Sequence, residues 1–251
     1  LGSIRAFVVL IFAGLSLVAP RLAVAEPLRF ATINFEPYAL DQDSPDRRGF
    51  IVDVHAAIAA RADLQMTENV LPIARLLKNL ERGLSDCSVF LLSPWSKANF
   101  VPVAEIMARF PSIIVTRKDL PISRVEDLHG KNLALPRGSY REFPIATDPK
   151  IQRQETGGYG QSARLLKAGR VDAIAGTALS IYHYLEVVKL GRQDIGGVLT
   201  FDYKPIWLQC NKTTISNDIK LQLQKATDAL RAEGAFEKLR DRYIPESFRQ
   251  S

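Results

Sequence analysis

Cysteine and histidine are scarce in this chain of 251 residues, with Cys87 and Cys210 as one pair and His55, His129 and His183 far apart from one another. Neither Cys-x-x-Cys nor His-Glu-x-x-His occurs. A protein-bound metal needs several such ligands at short spacing, so no metal site is expected and no cofactor is called for. The two cysteines permit one bridge, but sequence does not supply the Cα separation of about 4.4–6.8 Å that a bridge needs. A disulfide and two separate buried thiols therefore stand equally open. Also missing is a block of basic residues. Lys and Arg number 33 against 27 Asp and Glu, a net charge of +6, yet the two signs are interleaved along the chain. A nucleic-acid footprint would gather the cations on one element, so nucleic-acid binding is excluded and the charge reads as a solvated basic surface. Beyond residue 25 no apolar run approaches the roughly 20 residues that crossing a bilayer takes.

At the N-terminus, Arg5 precedes an uncharged apolar run from Ala6 to Ala19, followed by Pro20, Arg21 and Ala23-Val24-Ala25 before Glu26. Charge, apolar stretch and small-residue cleavage pattern in that order predict a cleavable secretory signal peptide over residues 1–25. The run is too short to span a membrane. With no cysteine at the expected cleavage point, a lipid anchor would have no attachment atom there. Residues 26–251 are enough for two domains of ordinary size. A composition of 47% hydrophobic and 24% charged residues is that of a folded globular chain.

Strand and helix signals alternate through that region. Leu28 to Ile33 reads as a strand running into an aromatic, Pro-bearing loop, Asn34 to Tyr38. Gly49-Phe50 then opens a helical pattern. Met66 to Leu71 reads as a strand, Pro72 to Leu80 as a helix stopped by Gly83, and Cys87 to Leu92 as a short buried parallel strand. A strand over Pro111 to Lys118 comes next, and then the theme restarts: a short helix and turn at Val125 to Gly130, strands at Asn132 to Leu135 and Ile151 to Glu155, a helix over Gln161 to Ala168, and a strand over Val171 to Ala175. The last third predicts a crossing at Leu199 to Tyr203, a strand at Ile206 to Cys210, and helices near Asn217 to Glu233 and Ala235 to Tyr243. The two halves share a layout of helix, Gly, Asp and strand, at Gly83 with Asp86 and at Gly169 with Asp172. Each Gly would end its helix and each Asp would sit at a strand entry.

A set of landmarks carries a family resemblance. They are Phe35, Pro37 and Tyr38 in the first loop, Gly49-Phe50 with Asp53, Gly83 with Asp86, and Gly138-Ser139. Gly169-Arg170-Val171-Asp172-Ala173 and the stretch from Leu230 to Leu239 complete the set. In this order and spacing the chain resembles the family 3 bacterial extracellular solute-binding proteins. The resemblance implies an α/β chain with the two-lobed type II periplasmic binding protein fold, each lobe a mostly parallel sheet flanked by helices, joined by two hinge strands. It implies lobes of 26–115 plus 204–251 and of 116–203. It also implies a monomeric, non-enzymatic periplasmic receptor that captures a small-molecule ligand in the interlobe cleft for an inner-membrane ABC permease. Both cysteines would then lie in one lobe, which favours a Cys87–Cys210 bridge.

Carried onto this sequence, the ligand-binding positions are Phe35, Tyr38, Arg75, Ser93, Lys97, Arg137, Gly138, Ser139, Tyr140 and Thr177. Plainer readings stand beside them. Phe35 or Tyr38 could staple the loop to the core, Arg75 could be a solvated helix residue, and Arg137 to Tyr140 could be an ordinary turn. Tyr159, between Gly158 and Gly160, reaches the cleft or the hinge, and its glycine neighbours fit a mobile loop equally well. Two departures bear on the ligand. Lys97 stands where amino-acid receptors of the family carry a carboxylate-clamping Arg, and a lysine lacks the planar fork. Gly176-Thr177 stands where they carry an Asp for the ligand ammonium. Without that acid an amino acid loses a charge-assisted bond of about 1.5–3 kcal/mol. An anionic or neutral polar solute is expected instead. Two other readings are a sensory or partner-binding module of the same fold and a cyclohexadienyl dehydratase-like enzyme, for which Glu36 and Glu142 are the acids available.

Overall fold

Leu28–Ile33 (β1) is buried along most of its length, as a central strand flanked on both sides requires, and it pairs in parallel with Met66–Leu71 (β2) and Cys87–Leu91 (β3). In this computed structural model, residues 26–40, 48–141 and 143–249 are described. The signal-peptide reading of residues 1–25 and the acid Glu142 lie outside them. Between the strands run α1 (Phe50–Arg61) and α2 (Ile73–Glu81). Gly49 enters α1 with φ at 124°, in the region that favours glycine, and a Cβ there would run into the Tyr38 carbonyl. After α3 (Pro94–Asn99) comes β4 (Val101–Arg117), followed by β5 (Asn132–Pro136), α4 (Pro144–Thr147), β6 (Gln152–Thr156), α5 (Tyr159–Lys167), β7 (Ala173–Thr177) and α6 (Ala178–Val187). The chain ends with β8 (Ile195–Cys210), α7 (Asn217–Ala232) and α8 (Ala235–Arg242).

The strands are ordered β2-β1-β3-β8-β4-β7-β5-β6. Seen from either end the order is the same motif: an outer strand, a central strand, a third parallel strand, and then an antiparallel strand that belongs to both halves. β4 and β8 are the long strands that run through both lobes, antiparallel to each other from Val101↔Cys210 to Arg117↔Ile195. Their register breaks at several points, including between Met107 and Phe110, and such bulges bend and twist a ribbon. This is a two-lobed α/β fold with two hinge strands.

Each lobe has its own core. Phe30, Phe50, Ile58, Leu208 and Phe236 pack in the first. Val115, Ile174, Ile181 and Leu185 pack on one face of the second sheet, with Leu133, Ile145 and Ala175 on the other. The echo of Gly and Asp has a physical basis. Asp86 donates its N–H to the Arg29 carbonyl and accepts the Arg29 N–H on its carboxylate at 2.8 Å. Asp172 does the same with Asn132, also at 2.8 Å. In each lobe one Asp thus ties the third strand to the start of the central one. The first lobe adds a disulfide, since Cys87 and Cys210 face each other across β3 and β8, are bonded, and are fully buried.

Several elements differ from the sequence reading. The strand expected at Pro111 to Lys118 begins ten residues earlier, at Val101, and the two segments read at Leu199 to Tyr203 and Ile206 to Cys210 are one continuous strand from Ile195. The sequence reading assigns no element to α3 or α6. Past α8 the chain returns to the second lobe, where Phe248 stacks on Tyr182 of α6 with ring centroids 4.8 Å apart.

Candidate ligand cleft

The loop after β1 turns sharply, with the Tyr38 N–H donating to the Phe35 carbonyl at 2.9 Å across a cis Glu36–Pro37 bond. The turn lays the Phe35 and Tyr38 rings side by side, 6.1 Å apart, at the mouth of the interlobe space. Behind them is a cavity of about 360 Å³, in the range of small-molecule pockets. The first lobe supplies most of its wall: Ile33 at the end of β1, Ile73 and Leu77 on α2, Val89 to Leu91 at the end of β3, and Trp95 on α3. Phe110 and Ile206 of the hinge strands close the back. Ser93 starts α3 through a reciprocal cap, accepting the Ser96 N–H at 3.1 Å while its own N–H donates to Ser96 Oγ at 3.0 Å. From the second lobe come Tyr159 and Thr177.

Tyr159 is held in place by a missing side chain. Its ring lies against Gly176, where a Cβ would collide with it, and it meets Phe35 edge-on at 5.5 Å. Burial, reinforced by the neighbouring phenols of Tyr140 and Tyr38, holds the Tyr159 hydroxyl well above its ordinary pKa, so it stays neutral. Beside it, three hydroxyls join the lobes. Tyr38 and Thr177 lie 2.6 Å apart, Thr177 donates to Ser180 at 3.0 Å, and Ser180 donates back to Tyr38 at 3.4 Å. With Tyr38 donating to Thr177 the ring closes, each hydroxyl giving one hydrogen and taking one. Burial pushes the Tyr38 phenol up to about 12 against the opposing pull of these partners. Outside the ring, Glu36 of the same loop faces His183 of α6 at 3.1 Å.

Of the residues expected from sequence, Phe35, Tyr38, Ser93 and Thr177 line this cavity. Arg75, Lys97 and Arg137 do not; all three are exposed. The helical period explains Arg75. At about 100° per residue, Leu77 returns to within about 40° of Ile73, while Arg75 lies about 200° away, on the outer face. Arg137 reaches Glu155 at 3.3 Å on the surface. Gly138 and Ser139 line a separate depression of about 270 Å³ with Arg141, Arg153 and Glu155, which shares no residue with the cavity. Tyr140 donates to Ser112 at 3.2 Å and touches the cleft through Tyr159. Sequence reasoning missed the aliphatic wall. Its signal was present in the apolar residues at the ends of β1 and β3 and in the Ile73 and Leu77 spacing, but those look like core positions. Among the described residues no cluster of three or more His, Cys, Asp or Glu side chains could hold a metal, and no helix is long and apolar enough to cross a membrane.

Residues 28–246 match the model of the bacterial extracellular solute-binding proteins, family 3. The chain belongs to that family. It is 23% identical over 203 residues to the probable amino-acid-binding protein YxeM of Bacillus subtilis (strain 168), covering 79% of this chain and 76% of that relative. Among solved structures it is similar to an ancestral cationic amino acid solute-binding protein, with a TM-score of 0.71 at 17% identity, covering 87% of this chain and 96% of the other. A histidine kinase sensor domain with similarity to periplasmic binding proteins matches at a TM-score of 0.67 and 16% identity, over 87% of this chain and 96% of that one. At such identities the two structures establish the type II binding-protein fold.

Proposed function

We propose that this chain is a periplasmic receptor that closes its two lobes on a small uncharged solute and delivers it to an ABC-type importer in the inner membrane. The observation that carries the reading is a cavity walled from both lobes and bridged by side-chain hydrogen bonds, in a sheet whose halves share only β4 and β8 among the described residues. A hinge of two strands lets such lobes open and shut around a ligand. The lobe division, 26–115 with 204–251 against 116–203, with Val115 and Phe248 reaching into the second lobe's core, and a monomeric receptor exported on residues 1–25 belong to the same proposal. Of the anionic and neutral classes expected from sequence, the neutral one has the better support, because Arg75, Lys97 and Arg137 stand away from the cavity.

Binding without catalysis also fits the acids. Glu36 is exposed and faces His183 rather than lining the cavity. The sensory reading keeps some support from the histidine kinase sensor domain of the same fold; co-purification with a permease supports import, and co-purification with a kinase supports sensing. The receptor reading is tested by thermal shift of the purified chain against amino acids, organic acids, polyamines, sugars and small neutral ring compounds. A ligand at 100 times its Kd stabilises by about 2.7 kcal/mol. Silence across the whole set would remove the receptor reading.

A further inference from the structure

The polar atoms on the cavity wall are few, and most are already engaged. Ser96 Oγ accepts the Ser93 N–H and donates to the Ser93 carbonyl. Tyr38 and Thr177 spend their hydrogens within the interlobe ring, leaving only acceptor lone pairs. Ser93 Oγ accepts from the Ser96 N–H and retains its own proton. No charged side chain lines the cavity among the described residues. Two acids on neighbouring segments are paired elsewhere, Glu36 with His183 and Asp202 with Lys204 at 3.8 Å. Apart from the Tyr159 hydroxyl, which is engaged with Tyr140, and the Trp95 indole N–H, the rest of the wall is aliphatic or aromatic, and the aromatic groups come from both sides: Phe35, Phe90, Trp95 and Phe110 with the first lobe and hinge, Tyr159 from the second.

Such a wall discriminates by charge. An ammonium or carboxylate drawn into it would give up hydration with no countercharge to replace it, and a zwitterion would do so twice. A ring or branched hydrocarbon body, by contrast, meets apolar side chains from both lobes, and a single neutral oxygen finds the Ser93 hydroxyl. Tyr159 has a direct part in this. Seated on Gly176, next to the position where the resemblance leads one to expect an acid, it presents a neutral ring to the ligand. We infer that the cleft takes an uncharged molecule with an apolar, ring-sized body and one hydroxyl or carbonyl group, and that it rejects free amino acids. This inference rests on the receptor reading above and names the class of its ligand.

Matched probes test it. Benzyl alcohol with benzylamine and benzamide with benzoate are pairs of one shape that differ in charge, and phenylalanine adds the zwitterion. Titrated into the purified chain by calorimetry, each uncharged member is expected to bind at least about tenfold more tightly than its charged counterpart, with phenylalanine weakest. A charged member that binds as well as its partner, or no binding by either uncharged probe at millimolar concentration, overturns the inference. Leu91→Lys places an ammonium on the wall at a residue that is 39% exposed and so tolerant of change. It should reverse the order of benzamide and benzoate, and an unchanged order would show that the probes bind elsewhere. The two readings fail separately. Should an amino acid, sugar or organic acid stabilise the chain while the ring probes do not, the receptor stands and the ligand class falls.

Discussion

The two lobes are built on one plan and finished differently. Both have a central strand between two parallel neighbours, an antiparallel strand supplied by the hinge, and an Asp that binds the backbone of the central strand's first residues. The segments beyond the strand ends are where they diverge. In the first lobe these are Ile33 and Phe35, then Leu91 to Trp95; in the second they are Arg137 to Tyr140, Gly157 to Tyr159, and Thr177. Most of the apolar wall of the cleft therefore comes from the first lobe, while the second contributes Tyr159 and the Thr177 and Ser180 hydroxyls that meet Tyr38. The shared plan fixes where the cleft lies, and the loops at the strand ends decide what enters it.

The disulfide is a covalent tie that the first lobe has and the described residues of the second lack, and removing it should make the two lobes more alike. Cys87 and Cys210 enclose every strand of the second lobe, with a sequence separation of 123, so the bond restricts a long loop of the unfolded chain. Replacing both by Ala is expected to cost about 2–5 kcal/mol of unfolding free energy. Trp95 and Trp207, the chain's two tryptophans, both lie in the first lobe. Urea unfolding followed by tryptophan fluorescence would then report the loss where it arises, and an unchanged midpoint would show that the bond does not tie the lobe together.

Substituting the paired aspartates separates the lobes at matched positions. Asp86 is the more buried and accepts the Arg29 N–H, Nε and Nη2, whereas Asp172 accepts the Asn132 N–H and Arg117 Nε. Burial works to raise both carboxyl pKa values, but hydrogen bonds outweigh it and both end below the ordinary range: those from Arg29 at Asp86, those from Asn132 and Arg117 at Asp172. Arg29 and Arg117 are exposed enough that solvent screens the ion pairs, so the expected losses follow the hydrogen bonds. Asp86→Asn should lose about 1–3 kcal/mol, and Asp172→Asn about 1 kcal/mol. Because the folded pKa values are lowered, these contributions are present above the unfolded value of about 3.9 and fade as pH falls through the folded values. The parent should thus lose stability on acidification below about pH 4, and each Asn variant should lose less over that interval. Equal pH dependence in parent and variants would rule out this account of the two contacts.

The plan was largely readable from sequence, because apolar runs bounded by Gly and Asp mark parallel strands whatever surrounds them. The hinge was less so. Val101 to Phe110 carries Pro102, Glu105 and Arg109, and its bulges break the alternation that identifies a strand. α3 escaped notice because its cap is closed by Ser96 in place of the Glu or Gln that marks such caps in sequence. α6 lacks a clear polar stripe, since it packs on the second core on one side and meets the loop of Phe35 to Tyr38 on the other. At the site, the aromatic loop and Thr177 were identifiable by position. The cations Arg75, Lys97 and Arg137 invited an anion-binding reading, and the helical phase and the placement of each loop, which sequence does not display, put all three outside this cavity.

The finest test of the difference between the lobes lies where they touch. Tyr38 brings the only first-lobe hydroxyl to the ring with Thr177 and Ser180. Tyr38→Phe keeps the ring packing against Phe35 and Phe110 but leaves Thr177 without its partner across the gap. The expected loss is about 0.5–1.5 kcal/mol, the range for one neutral hydrogen bond. Because this bond bridges the lobes, the loss should fall on the balance between open and closed forms more than on global unfolding. Small-angle scattering would then give a larger radius of gyration for the unliganded variant, while its urea midpoint stays near that of the parent. A lowered midpoint with an unchanged radius would instead make the hydroxyl ring part of the general packing, and the two lobes would not be held together at this point.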